Sequence, residues 1–75
     1  MEKYKNLSGT TGVVAYETAD NSITVKFQGG GTYLYTYQSA GQSNVEQMKE
    51  LAASGKGLST FIVRNVRNSY AMKLR

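Results

Sequence analysis

Residues 22–37 read SITVKFQGGGTYLYTY, and two alternating runs meet there across three glycines. In the first run apolar side chains fall at every second position, at Ile23, Val25 and Phe27. In the second run tyrosines do so, at Tyr33, Tyr35 and Tyr37. Residues two apart in a strand share a face, so each run is typical of a strand with one apolar face. Two such runs joined by a short glycine segment predict a β-hairpin.

The length of the glycine loop decides which face of the hairpin carries the tyrosines. A three-residue loop, Gly29–Gly31, places them on the packed face, in the pairs Phe27/Tyr33, Val25/Tyr35 and Ile23/Tyr37. A two-residue loop reverses the parity and lays them beside Lys26 on the open face, as a base-stacking sheet requires. Three consecutive glycines suit the three-residue loop, and the other face of the second run is more polar. We therefore favour the packed face, with Tyr37 as the most exposed ring.

The flanking segments complete an α+β fold. TTGVVAYET, residues 10–18, predicts a strand before the hairpin. Ser43 and Glu46 form a capping-box pattern at the start of a helix that Gly55 ends. That helix has an apolar stripe, which consists of Val45, Met48, Leu51 and Ala52.

A second helix is predicted over residues 59–70, with Ile62, Val66 and Tyr70 on one face and Ser59 as its cap. The fold class is thus a three-stranded antiparallel β-meander followed by two short helices packed on one face.

Length and composition exclude most chemistry. The chain has 75 residues, no cysteine and no histidine, which leaves out disulfides, the common zinc sites and Ser/His/Asp triads. Nearby carboxylates are more simply surface charges, so we expect neither an enzyme nor a metal or other cofactor. The longest apolar runs, VVAY and FIV, are far shorter than a membrane span. We expect a cytoplasmic protein that is a monomer or a weak homodimer and does not contact membranes.

The net charge of +4 is concentrated near the C-terminus. Residues 1–48 hold three lysines and four acidic residues, a net −1, whereas residues 49–75 hold six basic residues and one acidic residue, a net +5. A basic third favours an anionic partner, nucleic acid above all. Arg64 and Arg67 fall on the outer face of the second helix, and Lys56 lies near its start, where phosphate oxygens can be bound. The alternative for each is an ordinary solvated charge.

Two segments of the chain resemble the KTSC domain, a family named for a segment at the C-terminus of some lysyl-tRNA synthetases and also found as single-domain proteins in bacteria and phages. The segments are ITVKFQGGGTYLY and NVRNSY, with a Ser/Gly-rich turn between them at SGKG. The resemblance covers about residues 8–72, and its Arg-x-x-Tyr ending falls on Arg67 and Tyr70. SGKGLSTF is longer than the usual turn of the family. The resemblance implies a KTSC-like domain at 8–72. We expect residues 1–7 to be a flexible N-terminal tail and residues 73–75 a C-terminal tail.

These observations predict a small domain that binds nucleic acid, RNA more than DNA, mainly through phosphate contacts. RNA binding is also the usual suggestion for the KTSC family. The candidate binding residues are Arg64, Arg67, Lys56, Tyr33, Tyr35, Tyr37 and Lys26. The alternative is a protein-interaction module, such as a phage-encoded inhibitor or adaptor of a larger complex, since tyrosine and arginine are also enriched at protein interfaces.

Overall fold

The computed structural model describes residues 1–5 and 12–74 and confirms the α+β class. In this part of the chain one antiparallel sheet has the strand order β1-β2-β3-β4-β5. The strands are β1 (Glu2–Lys3), β2 (Val13–Ala19), β3 (Ser22–Phe27), β4 (Gly31–Thr36) and β5 (Met72–Lys73). The helices are α1 (Tyr37–Ala40), α2 (Gln42–Ser54) and α3 (Leu58–Phe61), and α3 continues into a π-helical segment, Ile62–Val66. The predicted meander is β2-β3-β4.

The hairpin has the predicted parity but a different register. Val25 pairs with Tyr33, Ile23 with Tyr35 and Phe27 with Gly31. The loop therefore consists of three residues, 28–30, rather than Gly29–Gly31. Gly29 and Gly30 have φ values of 90° and 103°, which only glycine adopts readily, whereas Gly31 belongs to the strand. Because parity is unchanged, Tyr33 and Tyr35 lie on the packed face with Ile23 and Val25.

The core lies between this face of the sheet and α2. Ile23, Val25 and Tyr35 are buried from the sheet side. The helices contribute the other half of the core. Its residues are Val45, Met48 and Ala52 of α2, Leu58 of α3, and Ile62 and Val66 of the π-helical segment, and we call α3 and the π-helical segment together the last helical stretch. The predicted stripe of the first helix is thus the one that packs, although Leu51 is only half-buried.

The beginning of α2 differs from the prediction. Its N-cap is Gly41, and no side chain caps it, so the Ser43/Glu46 capping box is wrong. A capping box forms one helix earlier, where the Thr36 and Ser39 side chains each bind the backbone N–H of the other. Its effect is to end β4 and start α1 at Tyr37. Tyr37 therefore does not pair with Ile23; its N–H donates to the Asn21 carbonyl.

The second predicted helix ends earlier than residue 70. Its N-cap is Gly57, at φ 84°, rather than Ser59, and helical structure stops at Val66. The Asn65 amide donates to the Phe61 carbonyl, and a turn follows that the Ser69 N–H closes on the Val66 carbonyl. Tyr70 thus leaves the helix, and the chain turns back along the free edge of β4.

Residues near both ends, at positions predicted to lie in the tails, pair with the sheet. Glu2–Lys3 pairs with β2, and Tyr4 is only 2% exposed within the core. Lys73 pairs with Tyr33 in β5. Pairing of β1 with β2 and of β5 with β4 satisfies backbone N–H and C=O groups that would otherwise be unpaired at the sheet edges. The predicted positions at 6–11, which include the start of the first strand and of the 8–72 domain, lie outside the described residues, as does Arg75.

Candidate nucleic-acid interface

A groove of about 510 Å³ opens on the packed face of the sheet, between the hairpin loop and the end of the π-helical segment. We call it the tyrosine groove. Its lining residues are Phe27, Gln28, Gly29, Gly30, Gly31, Tyr33, Tyr35, Ile62, Val63, Arg67, Asn68, Tyr70 and Lys73. The groove lies where helical structure stops: Ile62 and Val63 of the π-helical segment line it, and Arg67, Asn68 and Tyr70 come from the residues that follow Val66.

Four aromatic rings form the wall and floor of the tyrosine groove. Tyr33 is central: its ring centroid lies 4.7 Å from that of Tyr70 and 5.7 Å from that of Phe27, both in edge-to-face geometry. Tyr70 also meets Tyr35 edge to face, at 6.4 Å. Such contacts hold the rings in defined orientations. Tyr33 stays half-buried and Tyr70 is 38% exposed, so both rings have surface left for a ligand.

Tyr35 lies at the floor of the groove and is 2% exposed. Its hydroxyl forms no hydrogen bond with any of the described residues. Burial, with a further contribution from Tyr33 and Tyr70, raises the pKa of Tyr35 to about 12. Like an ordinary tyrosine, the phenol is protonated at neutral pH and has a donor to offer. A buried hydroxyl without a partner costs free energy, so a ligand that reaches it gains a hydrogen bond.

Two cations lie at the tyrosine groove, on different elements. Arg67 follows the π-helical segment, and Lys73 comes from β5, where its Nζ atom is 5.7 Å from the centroid of the Tyr33 ring. None of the described residues that line the groove is acidic. The groove thus combines aromatic surface with positive charge, an arrangement that suits an anionic ligand with flat groups.

The structure brings some of the predicted binding residues together and separates others. Tyr33, Tyr35 and Arg67 share the tyrosine groove, whereas Arg64 and Lys56 are exposed outside it. Lys26 pairs with Thr32, which is next to Tyr33 in β4. Because successive residues of a strand point to opposite faces, the Lys26 side chain lies on the face of the sheet opposite to Tyr33. A lysine next to the tyrosines is supplied by β5 instead, in Lys73.

Tyr37 is engaged in a separate polar cluster. Its hydroxyl donates to Glu46 Oε2 at 2.6 Å and lies 3.0 Å from the Asp20 carbonyl oxygen, which can share the same hydrogen. Lys49 Nζ donates to the same carbonyl and lies 3.0 Å from Glu46 Oε2. The hydrogen bond from Tyr37 lowers the pKa of Glu46, with Lys49 adding to the effect, and it raises the pKa of Tyr37. These contacts join the β2–β3 turn to α1 and α2. The expectation that Tyr37 is the most exposed ring is wrong, because Tyr37 is half-buried and Tyr70 is the more exposed ring.

Of the aromatic and cationic side chains that line the groove, three were not among the predicted binding residues: Phe27, Tyr70 and Lys73. Tyr70 was assigned to the apolar face of a helix that in fact ends before it, and Phe27 to the core. Lys73 was placed in a tail. The Arg-x-x-Tyr spacing of Arg67 and Tyr70 was the one available signal, since it keeps both residues on the same short turn.

Within residues 1–5 and 12–74, no group of three or more acidic side chains is placed to hold a metal ion. In the same ranges no helix has the length and apolar character needed to cross a membrane. No protein-family model, curated protein or solved structure matches this chain.

Proposed function

We propose that this protein binds nucleic acid, RNA in preference to DNA, in the tyrosine groove. The observation that carries the proposal is that Arg67 and Lys73 lie at a groove with tyrosine walls. None of the described residues that line this groove is acidic. Arginine binds phosphate oxygens through a planar fork, and lysine adds a mobile point charge. Phosphate contacts from these two residues would supply most of the affinity.

The resemblance to the KTSC domain supports the same proposal. The segment ITVKFQGGGTYLY contributes Tyr33 and Tyr35 to the groove, and NVRNSY contributes Arg67 and Tyr70. RNA binding is the usual suggestion for that family. The choice of RNA over DNA also rests on the amides of Gln28 and Asn68 at the groove, because an amide can donate to or accept from a ribose 2′-hydroxyl.

The proposal is tested by measuring the affinity for a fluorescently labelled RNA oligonucleotide by anisotropy over a range of salt concentrations. We expect log K to fall linearly with log salt concentration. Arg67→Gln and Lys73→Gln should each weaken binding and reduce the slope by about 0.7, the contribution of one phosphate contact to a single strand. No measurable binding, or binding that salt does not affect, would remove the proposal.

Arg64→Gln and Lys56→Gln are matched controls, because each removes one positive charge from an exposed position outside the groove. They lower the general attraction to RNA by the same change in net charge. If their effect equals that of Arg67→Gln, the binding surface is the outer face of the last helical stretch, as the sequence predicts, and not the groove.

The second candidate is a protein-interaction module, such as an inhibitor or adaptor of a larger complex. Met72 and Leu74, at the β5 edge of the sheet, are 55% and 45% exposed, and an edge strand with apolar side chains can receive a strand from a partner. Affinity purification from lysate with and without nuclease separates the two functions. A protein that remains bound after nuclease treatment, and that Leu74→Lys releases, would favour this candidate.

A further inference from the structure

We infer that the tyrosine groove holds an unpaired base of single-stranded RNA, with the base against the Tyr33 and Tyr70 rings and its polar edge at the Tyr35 hydroxyl. The inference rests on the proposed function and deepens it. Phosphate contacts alone do not distinguish a duplex from a single strand, whereas the geometry of the rings does.

The accessible aromatic surface is the first observation. Tyr33 and Tyr70 meet edge to face, at an interplanar angle of 61°, and both rings keep accessible surface at the groove. In a duplex the faces of the bases are stacked on one another and are not available to a protein ring. An unpaired base can leave the stack and lie on an aromatic side chain. The ring surface of the groove is therefore useful only to a single strand, a loop or a bulge.

The unpartnered hydroxyl is the second observation, and it is independent of the first. Tyr35 is almost fully buried at the floor of the groove, yet its hydroxyl has no hydrogen-bonding partner among the described residues. A phosphate held by Arg67 and Lys73 at the groove does not require such a group. The edge of a base seated in the groove can use it, since every base carries both donors and acceptors on its Watson–Crick edge.

Charge complementarity places the RNA backbone at the groove entrance. Lys73 Nζ lies over the Tyr33 ring, and Arg67 is exposed on the helical side. When a base occupies the ring surface, the flexible Lys73 side chain can move to a flanking phosphate without changing the backbone of β5. The two cations then bind the phosphates on either side of the seated base.

The test compares the affinities for a single-stranded RNA and for a duplex of the same length, measured by anisotropy at one salt concentration. We expect the single strand to bind at least about fivefold more tightly, since stacking of one base contributes on the order of 1–3 kcal/mol and about 1.4 kcal/mol corresponds to tenfold. Tyr33→Leu should weaken single-strand binding by about fivefold or more, whereas Tyr33→Phe, which keeps the ring, should retain it. Tyr16→Leu is the control, because Tyr16 is a half-buried tyrosine that does not line the groove.

A second variant tests the hydrogen bond at the floor. Tyr35→Phe keeps the buried ring and removes a hydroxyl that no described residue binds, so the fold should persist by circular dichroism. Its affinity for the single strand should fall about threefold to tenfold, the value of one hydrogen bond, while duplex binding stays unchanged. Affinities for oligonucleotides of uridine, cytidine and adenosine should also become more alike.

The outcomes separate this inference from the proposed function. If single strand and duplex bind equally, and Tyr33→Leu and Tyr35→Phe change neither affinity, the inference is overturned while phosphate-mediated RNA binding stands. If neither RNA binds, both are overturned. Loss on Tyr33→Leu but not on Tyr16→Leu, together with the Tyr35→Phe effect on the single strand alone, supports the inference.

Discussion

A Cβ atom on Gly31 would lie 2.7 Å from Cε1 of Tyr33, so the Tyr33 ring occupies the space that any other side chain at position 31 would need. The two residues are two apart in β4 and therefore share the packed face. The ring leans back over the strand toward the hairpin loop, where it forms part of the wall of the tyrosine groove. Gly31 is in this sense a positioning residue for Tyr33.

The first prediction concerns Gly31→Ala. The backbone at Gly31 lies outside the left-handed region, so alanine can adopt it, but the added methyl group must displace the Tyr33 ring. We expect RNA affinity to fall several-fold and the near-UV circular dichroism of the tyrosines to change, with a stability cost of about 1–3 kcal/mol from overpacking. Gly12→Ala is the control, because a Cβ there meets nothing within 4 Å. Unchanged affinity in Gly31→Ala would show that the ring orientation does not matter for binding.

The second prediction concerns Tyr4, whose hydroxyl accepts a hydrogen bond from the Leu58 N–H at 3.2 Å. This N–H is at the first residue of α3, where the helix itself offers no acceptor. Tyr4→Phe leaves it buried and unsatisfied, so urea unfolding should show a loss of about 1–3 kcal/mol. Tyr16→Phe, which removes a hydroxyl with no partner among the described residues, should cost less. Equal losses of stability in the two variants would show that the hydrogen bond between Tyr4 and Leu58 does not stabilise the fold.

The third prediction is a loss of stability at high pH that depends on Tyr35. In the unfolded chain its phenol ionises near the ordinary pKa of 10, whereas in the fold its pKa is about 12. The protonated phenol thus contributes stability that is complete below pH 10 and is lost as the pH rises from 10 to 12. At about 1.4 kcal/mol for each tenfold difference in proton affinity, the loss reaches roughly 2–3 kcal/mol.

Denaturant unfolding between pH 9 and pH 12 tests this prediction, with Tyr35→Phe as the reference because it removes the ionising group and keeps the ring. We expect the variant to lose less stability than the natural sequence over that interval. Parallel stability curves would mean that Tyr35 does not cause the loss.

The fourth prediction concerns acid and the Tyr37–Glu46–Lys49 cluster. Hydrogen bonds from Tyr37 and Lys49 lower the pKa of Glu46 below its ordinary value of 4.5 in the fold. The carboxylate therefore adds stability above pH 4.5, and this contribution is lost as the pH falls through the lowered pKa. Glu46→Gln should reduce the thermal midpoint slightly at pH 7 and have less effect at pH 2. Glu50→Gln, on the same helix without a partner among the described residues, should change neither midpoint; a matching effect would contradict the cluster.

Alternation and glycine content predicted the hairpin and its parity, but not its register. Pairing Phe27 with Tyr33 and pairing Val25 with Tyr33 place the same side chains on the packed face, so hydrophobic pattern alone cannot choose between them. The choice depends on which of the three glycines form the loop. Gly31 joins the strand, and the Tyr33 ring fills the space beside it where another residue would have its side chain, a contact that alternation does not predict.

The two outer strands carried no usable signal, since Glu2–Lys3 and Met72–Lys73 are each two residues long. A run that short shows no alternation. These segments become strands because β2 and β4 offer unpaired backbone groups at their edges, with the Ala71 N–H donating to Leu34 and the Leu74 N–H to Thr32. Such pairing joins residues far apart in the chain, and local sequence does not record it.

The sequence by itself determined the α+β class, the parity that packs Tyr33 and Tyr35 against the core, the apolar stripe of α2 and its end at Gly55. These features depend on local periodicity and on glycine conformation. Only the tertiary structure decided where the groove lies, because it opens where helical structure stops at Val66 and is completed by Tyr70 and Lys73. Lys73 is placed by edge pairing with β4, and Tyr70 lies between that strand and the turn after Val66. The pairing is a long-range interaction that local periodicity does not record.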